Sequence, residues 1–262
     1  MTAVDWLRNV IGEDPNRRLY DSGHPAFDRI NSHGADFFAP YLRPGMALLH
    51  IGCRDGAATL AFAELVAPGP VTGIDSDPAL LRAARKKAAN LGENRFNFER
   101  AAPESLPFAN NRFDAVFVGQ VLERSDRPEQ ALAEVFRVLR PGGLLGTRNR
   151  VASSRVSNFG SASLDRALKD EAAMIRDTGG DPDFGLRQSR LARNAGFVNL
   201  RTTSSTGHMD LEALRRSLAE SEAVTAGGNA AGSQHAPFEE DDERDLFVVT
   251  VNIETVGWKP AL

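Results

Sequence analysis

The sequence predicts an α/β protein whose mostly parallel sheet is wound with helices on both faces. Three observations predict this class: strand and helix patterns alternate through the first 150 residues, a glycine turn follows the first apolar strand, and the second strand ends in Asp75. Alternation of this kind produces parallel strands because each helix returns the chain to the same edge of the sheet. The length of 262 residues suits one large domain and is short for two catalytic domains, so we expect a single domain over 1–262.

The first two strand-helix units follow from short apolar runs and their flanking residues. The run 46–51 (MALLHI) is a strand that ends at a glycine, and 56–67, rich in Ala and Leu, is a helix. The run 71–75 (VTGID) is the second strand. Asp77 before Pro78 then predicts a capped helix start, because the aspartate side chain accepts a first-turn N–H and proline suits the first helical position.

The next elements extend the same alternation. Residues 95–100 and 112–119 have strand patterns, and the segment that follows has apolar residues on one helical face. Pro141-Gly142-Gly143 is expected to end that helix, since this sequence suits a helix stop. A further strand is then expected over 144–149 (LLGTRN).

Beyond residue 150 the patterns are weaker. We expect a strand over 197–203, a mobile loop over 225–237 and a closing strand over 246–258. The expected helices cover 161–177, 186–195 and 210–223.

Composition narrows the function class. The formal charge of −4 offers no broad attraction to phosphate backbones, so we expect a small-molecule partner rather than a nucleic acid. No apolar run approaches the about 20 residues that span a bilayer, and the N-terminus lacks a secretion pattern, so we expect a cytoplasmic protein without a membrane span. The single cysteine, Cys53, excludes an internal disulfide and a zinc cage built on several thiolates, and we expect no metal.

The glycine turn and Asp75 together carry the first chemical signal. The turn Gly52-Cys53-Arg54-Asp55-Gly56 opens a helix, where backbone N–H groups can approach a ligand closely. Asp75 lies 19 residues beyond Gly56, and a carboxylate there can accept both hydroxyls of a ribose. An alternative stays open, in which the glycines serve only strand-helix packing and Asp75 only caps the next helix.

Four consecutive segments make the signal more specific. They are LRPGMALLHIGCRDGAATLAFAELV, VTGIDSDPALLRAARKKA, ESLPFANNRFDAVFVGQVLE and RPEQALAEVFRVLRPGGLL. In order and spacing they resemble the ubiquinone/menaquinone-biosynthesis group of class I S-adenosylmethionine-dependent methyltransferases, closely over about residues 40–147. The resemblance implies a Rossmann-like, doubly wound sheet of seven strands with a reversed last hairpin. It also implies an N-terminal helical lid (1–42), a cofactor-binding core (43–150), and a part (151–262) that holds an insert after the fifth strand and the closing strands.

The resemblance further implies which residues bind S-adenosylmethionine. The turn residues Gly52, Cys53 and Gly56 would lie in the cofactor site, with the two glycines along the methionine part. Asp75 would bind the ribose and Ser76 would lie beside the adenine.

Three positions depart from the family pattern. His50 replaces the usual acid before the turn, Arg54 replaces its middle glycine, and Ala102 replaces the acid that commonly holds the adenine amino group. Arg54 would either crowd the sulfonium or turn outward to solvent.

On the acceptor side, Gln120 would lie close to the sulfonium and the acceptor. His24 is the first candidate for a general base, with Tyr20 as its hydrogen-bonding neighbour, although a loop histidine before Pro25 is an equally good interpretation. Glu123 would lie near the mouth of the cleft, but a surface glutamate before a turn is the better interpretation.

Two polar residues, Arg148 and Asn149, are expected just after the fifth strand. They would either face an acceptor or make hydrogen bonds at a helix entry.

Three functions remain to be compared. The first is methyl transfer to a small-molecule acceptor such as a phenol, a quinol or a secondary metabolite. The second is a non-catalytic or repurposed protein of the same fold with a degenerate cofactor site. The third, a nicotinamide-dependent dehydrogenase, fits less well because the LPF and RVLRPGG segments belong to the methyltransferase pattern.

Overall fold

A computed structural model of the protein describes residue 30 and the ranges 34–91, 95–157, 162–210 and 247–261. The strands are β1 (Leu48–Ile51), β2 (Val71–Asp75), β3 (Phe96–Arg100), β4 (Phe113–Gly119), β5 (Leu139–Ser157), β6 (Val198–Asp210) and β7 (Phe247–Trp258). The α-helices are α1 (Ala57–Val66), α2 (Pro78–Ala89), α3 (Pro128–Val138), α4 (Ala162–Asp177) and α5 (Gln188–Asn194). Short 3-10 helices cover Ala39–Tyr41, Leu122–Arg124 and Phe184–Leu186.

The sheet confirms the predicted α/β class. Its strand order is β3-β2-β1-β4-β5-β7-β6. The first five strands pair in parallel, and β7 runs antiparallel to both β5 and β6. The carboxyl ends of β1, β2 and β4 therefore meet at one edge, which is where open α/β sheets bind ligands.

Apolar side chains cover both faces of the sheet. One cluster contains Leu49, Val116 and residues of α3, and the other contains Leu48, Phe117 and residues of α1. Neighbouring strand residues appear in different clusters because successive side chains point to opposite faces. Parallel strands covered on both faces read as continuous apolar runs, which explains why the sequence located them well.

The N-terminal part of the described chain contributes to this core. Ile30, Phe38 and Leu42 are fully buried. A Cβ atom at Gly146 would lie 2.3 Å from Phe38 Cδ2, so the Phe38 ring occupies the space above that glycine. The expected mobile loop over 225–237, and the expected helix over 210–223 beyond the end of β6, lie outside the described residues.

The fifth strand is longer than its pattern predicts. Helix α3 ends at Val138, and β5 runs from Leu139 to Ser157, so Pro141-Gly142-Gly143 lies in the strand rather than at the helix end. Pairing with β7 extends as far as Ser157 opposite Val248, and this long-range partner holds the chain extended. The expected strand over 144–149 includes Arg148 and Asn149, and both do lie inside β5, so the competing expectation that they follow the strand is wrong.

Within the part of the chain that the structure covers, none of the helices is long and apolar enough to cross a bilayer.

Candidate functional site

The glycine turn after β1 is shaped by close packing. Gly52 has φ of 78° and Gly56 has φ of 79°, a left-handed conformation that favours glycine. A Cβ atom at Gly52 would lie 2.4 Å from Val121 Cγ2, and one at Gly56 would lie 2.8 Å from the Ala84 Cβ atom. Val121 lies in the loop between β4 and α3 (residues 120–127, the β4 loop). Packing against this loop and against α2 is therefore sufficient to require both glycines.

The backbone of the turn is bonded to β2. The N–H groups of Gly52 and Cys53 both donate to the Ile74 carbonyl oxygen, at 2.9 and 3.0 Å. The next N–H, of Arg54, donates to Asp75 Oδ2 at 2.9 Å. These three N–H groups all have acceptors in β2, so they are already bonded within the protein rather than free to donate to a ligand.

Asp75 lies at the end of β2, half-buried, beside that turn. Its Oδ2 accepts the Arg54 N–H, and its Oδ1 accepts the Asp77 N–H at 3.0 Å. The helix cap is Asp77 instead, since its side chain accepts from Ala79 N at 2.6 Å. Asp75 is therefore not the cap of α2, and each of its oxygens has a lone pair left for a further donor. This donor-acceptor chemistry fits the two hydroxyls of a ribose.

The neighbouring positions fit an adenine less completely. Ser76 is exposed, and its carbonyl oxygen accepts from Arg100 Nε at 3.1 Å. Ala102 is exposed as well and pairs through its backbone with Ser105. A methyl group accepts no hydrogen bond, so the side chain at position 102 offers nothing to an adenine amino group.

Gln120 follows β4 at the same edge of the sheet. Its backbone N–H donates to the Arg148 carbonyl oxygen at 2.8 Å, and its φ of 54° is left-handed. Its neighbour Val121 is the residue against which Gly52 packs. The fold thus brings the turn, Asp75 and the start of the β4 loop to one edge of the sheet.

His24 and Tyr20, the candidate base and its neighbour, lie outside the described residues.

Cys53 is buried within the turn. Burial, and then the nearby Asp75 charge, raise the pKa of its thiol to about 12. The thiol is therefore protonated at neutral pH and is a poor nucleophile. A buried, protonated thiol of this kind packs as a small apolar side chain.

His50 occupies the usual acid position before the turn as a core residue. Its ring is 4% exposed and lies edge-on to Phe62 and Phe117, with centroid distances of 5.5 and 5.3 Å. Nδ1 is 2.8 Å from Thr59 Oγ1. The imidazole fills an aromatic pocket in which a carboxylate would be costly to desolvate.

The sequence interpretation of Glu123 as a surface residue is wrong. Glu123 is 1% exposed, and its Oε1 lies 2.7 Å from Arg150 Nη2. A charge buried this deeply needs a partner, and Arg150 follows an apolar strand pattern in the sequence. Arg150 in this apolar stretch was a sequence signal that a buried acid pairs with it, but the sequence does not say which acid.

The two polar residues of β5 lie on opposite faces of the sheet. Arg148 Nε is 3.5 Å from Glu254 Oε1, and burial lowers the pKa of this guanidinium. Asn149 is fully buried and donates from Nδ2 to Thr147 Oγ1 at 3.0 Å and to Gln188 Oε1 at 2.8 Å. The contact with Glu254 of β7 explains Arg148, whereas Asn149 bonds to its own strand and to Gln188, the first residue of α5.

In the described ranges, no group of three or more His, Cys, Asp or Glu residues is arranged so that it could hold a metal ion.

Comparison with known proteins identifies the core. Residues 49–146 match the family described as "Methyltransferase domain". The chain is 33% identical over 155 residues to demethylmenaquinone methyltransferase of Lactiplantibacillus plantarum, a match that covers 55% of this chain and 63% of that protein. It is 38% identical over 106 residues to the ubiquinone/menaquinone biosynthesis C-methyltransferase of Pasteurella multocida, covering 40% of each. The chain therefore spans less than two thirds of the length of either curated relative.

Solved structures share the fold over most of the chain. The YcgJ protein of Bacillus subtilis aligns with a TM-score of 0.63 and 18% identity, over 88% of this chain and 99% of that one. The [4+2]-cyclase SpnF aligns with a TM-score of 0.56 and 23% identity, over 94% of this chain and 82% of that one. At these identities the likeness shows the fold. The family match confirms the resemblance stated from the sequence over residues 49–146, and the solved structures confirm the Rossmann-like sheet.

Proposed function

We propose that this protein transfers a methyl group from S-adenosylmethionine to a small-molecule acceptor such as a phenol, a quinol or a related secondary metabolite. The observation that carries the proposal is Asp75, a half-buried carboxylate beside the glycine turn with acceptor capacity left for a ribose. The family match over 49–146 supports the reaction type. The quinone-biosynthesis names of the curated relatives support the acceptor class.

Each residue at the edge of the sheet has a role in this proposal. Asp75 accepts the two ribose hydroxyls, and Ser76 lies beside the adenine. The backbone of Gly52, Cys53 and Gly56 follows the methionine part. The cofactor supplies an electrophilic methyl group, and Gln120 lies beside the point where an acceptor meets it.

The main requirement of methyl transfer is that the protein positions the acceptor relative to the methyl group. An acceptor must approach the methyl group in line, and holding two reactants in that geometry lowers the barrier without a further catalytic group. Where an acceptor must lose a proton, we propose His24 as the base and Tyr20 as its neighbour.

The proposal also assigns parts of the chain. Residues 1–42 would enclose the acceptor, 43–150 would bind the cofactor, and 151–262 would complete the acceptor side, all within one domain. The net charge of −4 supports a small molecule over a nucleic acid as the partner. The single cysteine supports a cytoplasmic location.

The direct test is calorimetric titration with S-adenosylmethionine, S-adenosylhomocysteine and NAD, followed by transfer of a radiolabelled methyl group to phenol and quinol probes. Binding of the first two ligands with a labelled product is the expected result. Binding of no nucleotide would favour the repurposed protein, and binding of NAD alone would favour the dehydrogenase.

A further inference from the structure

The carboxylate of Glu123 continues the hydrogen bonding of β5 where β4 has ended. The last pair of the two strands is Gly119 opposite Arg148. Two residues further along β5, the Arg150 backbone N–H donates to Glu123 Oε2 at 2.9 Å. The Arg150 side chain turns back and donates from Nε to Glu123 Oε1 at 2.8 Å. The side chain of Glu123 thus supplies the acceptor that a longer β4 would have supplied from its backbone.

A second buried carboxylate connects this pair to helix α4. Glu171 is fully buried, and its Oε1 lies 3.2 Å from Arg150 Nη2. Its Oε2 accepts from Arg155 Nη2 at 2.5 Å, and Arg124 Nη2 lies 3.7 Å from Oε1. Three arginines and two glutamates therefore join the β4 loop, β5 and α4.

Arg150 and Glu171, which contact each other in this cluster, are each held in the charged form. Burial lowers the pKa of Arg150, but the charges of Glu123 and Glu171 outweigh it and raise that pKa above its ordinary value. Burial raises the pKa of Glu171, but Arg150 and Arg155 outweigh it and lower that pKa. Buried ion pairs contribute little net stability compared with apolar residues of the same volume, whereas their geometry is strongly specified. The main effect of the cluster is therefore to fix the positions of the backbone segments that it connects.

The part that it holds is the segment 120–122. At one end the Gln120 N–H donates to the Arg148 carbonyl oxygen at 2.8 Å, and at the other end Glu123 is bonded to Arg150. Between these ends Val121 fills the space above Gly52, where a Cβ atom would lie 2.4 Å from Val121 Cγ2. The segment 120–122 is thus attached to β5 at both ends and packed on the glycine turn.

We propose that Glu123 and Arg150 are positioning residues, which hold Gln120 and Val121 against the glycine turn for methyl transfer. The inference rests on the proposed function, since it places the sulfonium and the acceptor beside Gln120. Neither residue touches the reacting groups, and both act through the backbone between them. Helix α4 acts on the same segment through Glu171 and Arg150.

The chain contains a matched control for this pair. On α3, Glu134 Oε2 accepts the Leu106 backbone N–H at 2.8 Å, and its Oε1 accepts from Arg137 Nε at 2.7 Å. One oxygen on a distant backbone N–H and the other on an arginine Nε is the arrangement that Glu123 has. Glu134→Gln therefore removes an equivalent ionic contact that is not attached to the segment 120–122.

The test compares Glu123→Gln with Glu134→Gln by amide hydrogen exchange, with and without S-adenosylhomocysteine. Added S-adenosylhomocysteine is expected to slow the exchange of residues 119–124 in the unchanged protein and in Glu134→Gln. In Glu123→Gln we expect at least tenfold faster exchange of these residues and loss of the ligand-dependent protection, although the dissociation constant rises less than threefold. With 1,4-naphthohydroquinone as the probe acceptor, kcat should fall at least tenfold in that variant only.

The outcomes separate the two proposals. If both variants lose thermal stability but residues 119–124 exchange as in the unchanged protein, the cluster is structural and the inference is overturned. If S-adenosylhomocysteine does not bind the unchanged protein, the proposed function fails and the role in methyl transfer fails with it, while tenfold faster exchange in Glu123→Gln alone still supports the conclusion that Glu123 holds the segment 120–122 in place. Should Glu123→Gln not fold, Arg150→Lys replaces it, because lysine keeps the charge but cannot donate from both Nε and Nη2; unchanged exchange in that variant would overturn the inference.

Discussion

Asp75 Oδ2 accepts the backbone N–H of Arg54 at 2.9 Å, which joins the acid at the end of β2 to the middle residue of the glycine turn. Arg54 is exposed and has φ of 50°, a left-handed conformation that costs a non-glycine residue about 1–2 kcal/mol. The departure from glycine at this position therefore strains the backbone locally while the bond to Asp75 keeps the turn closed.

Arg54→Gly is expected to raise the free energy of unfolding by about 0.5–1 kcal/mol, because relief of the strain exceeds the entropy that glycine adds to the unfolded chain. Loss of a cation from the turn that borders the proposed cofactor site should tighten binding of the cationic S-adenosylmethionine several-fold more than binding of the neutral S-adenosylhomocysteine. Urea unfolding and calorimetry measure the two effects. Arg54→Ala is the control, since it removes the charge and keeps the Cβ atom, and weaker binding of both ligands by both variants would contradict the prediction.

Asp75→Asn is expected to raise the dissociation constant for S-adenosylhomocysteine roughly ten- to hundredfold, since a hydrogen bond to a charged group contributes about 1.5–3 kcal/mol. Asparagine keeps an oxygen for one of the two backbone donors, the N–H groups of Arg54 and Asp77, and removes the charge. The control is Asp77→Asn, two residues away, where either residue caps α2 equally well. An unchanged affinity in Asp75→Asn would mean that the ribose does not bind there.

Ala102→Asp is expected to tighten S-adenosylmethionine binding several-fold and up to about tenfold, because the new carboxylate accepts a hydrogen bond from the adenine amino group. The exposed Ala109, which precedes the amino end of β4, carries the same change as a control for added charge. S-inosylhomocysteine, which lacks the amino group, should gain much less. If Ala102→Asp weakens binding, alanine at this position favours cofactor binding and is not a sign of a degenerate cofactor site.

The stability of the protein is expected to fall in acid partly through Glu171. Its pKa is lowered in the folded protein, so its contribution is complete above about pH 5 and is lost as the pH falls through the folded pKa. Glu171→Gln should cost about 3–5 kcal/mol at pH 7, since it leaves buried arginines with fewer partners. Urea unfolding between pH 7 and pH 3 measures the difference, which should shrink below pH 5; a difference independent of pH, like that of the exposed control Glu129→Gln, would refute this.

Deletion of residues 1–29 is expected to leave S-adenosylhomocysteine binding intact and to reduce methyl transfer, because these residues belong to the proposed lid. Deletion of 1–40 should unfold the protein instead, since it removes Phe38, and loss of a buried phenylalanine side chain alone costs about 3–5 kcal/mol. Thermal unfolding, calorimetry and methyl transfer distinguish the two deletions. Transfer at the full rate after deletion of 1–29 would exclude the lid role.

The sequence by itself determined the order of the strands and helices through residue 138, the helix cap at Asp77 and the resemblance of the core to the methyltransferase family. These features depend on local patterns: an apolar run covered on both faces, a side chain that accepts from a nearby N–H, and a glycine where φ is positive. Each feature can be predicted from neighbouring residues, without knowing which distant residues contact it in the folded protein.

Only the tertiary structure decided the length of β5, the burial of Glu123 and the place of His50 among aromatic rings. Strand β5 continues to Ser157 because β7, about a hundred residues later in the chain, pairs with it. Glu123 is buried because Arg150 lies two residues beyond the last pair of β4 and β5. Such partners are distant in sequence, and a buried charge or an extended strand is stable only when the rest of the fold supplies the group that pairs with it.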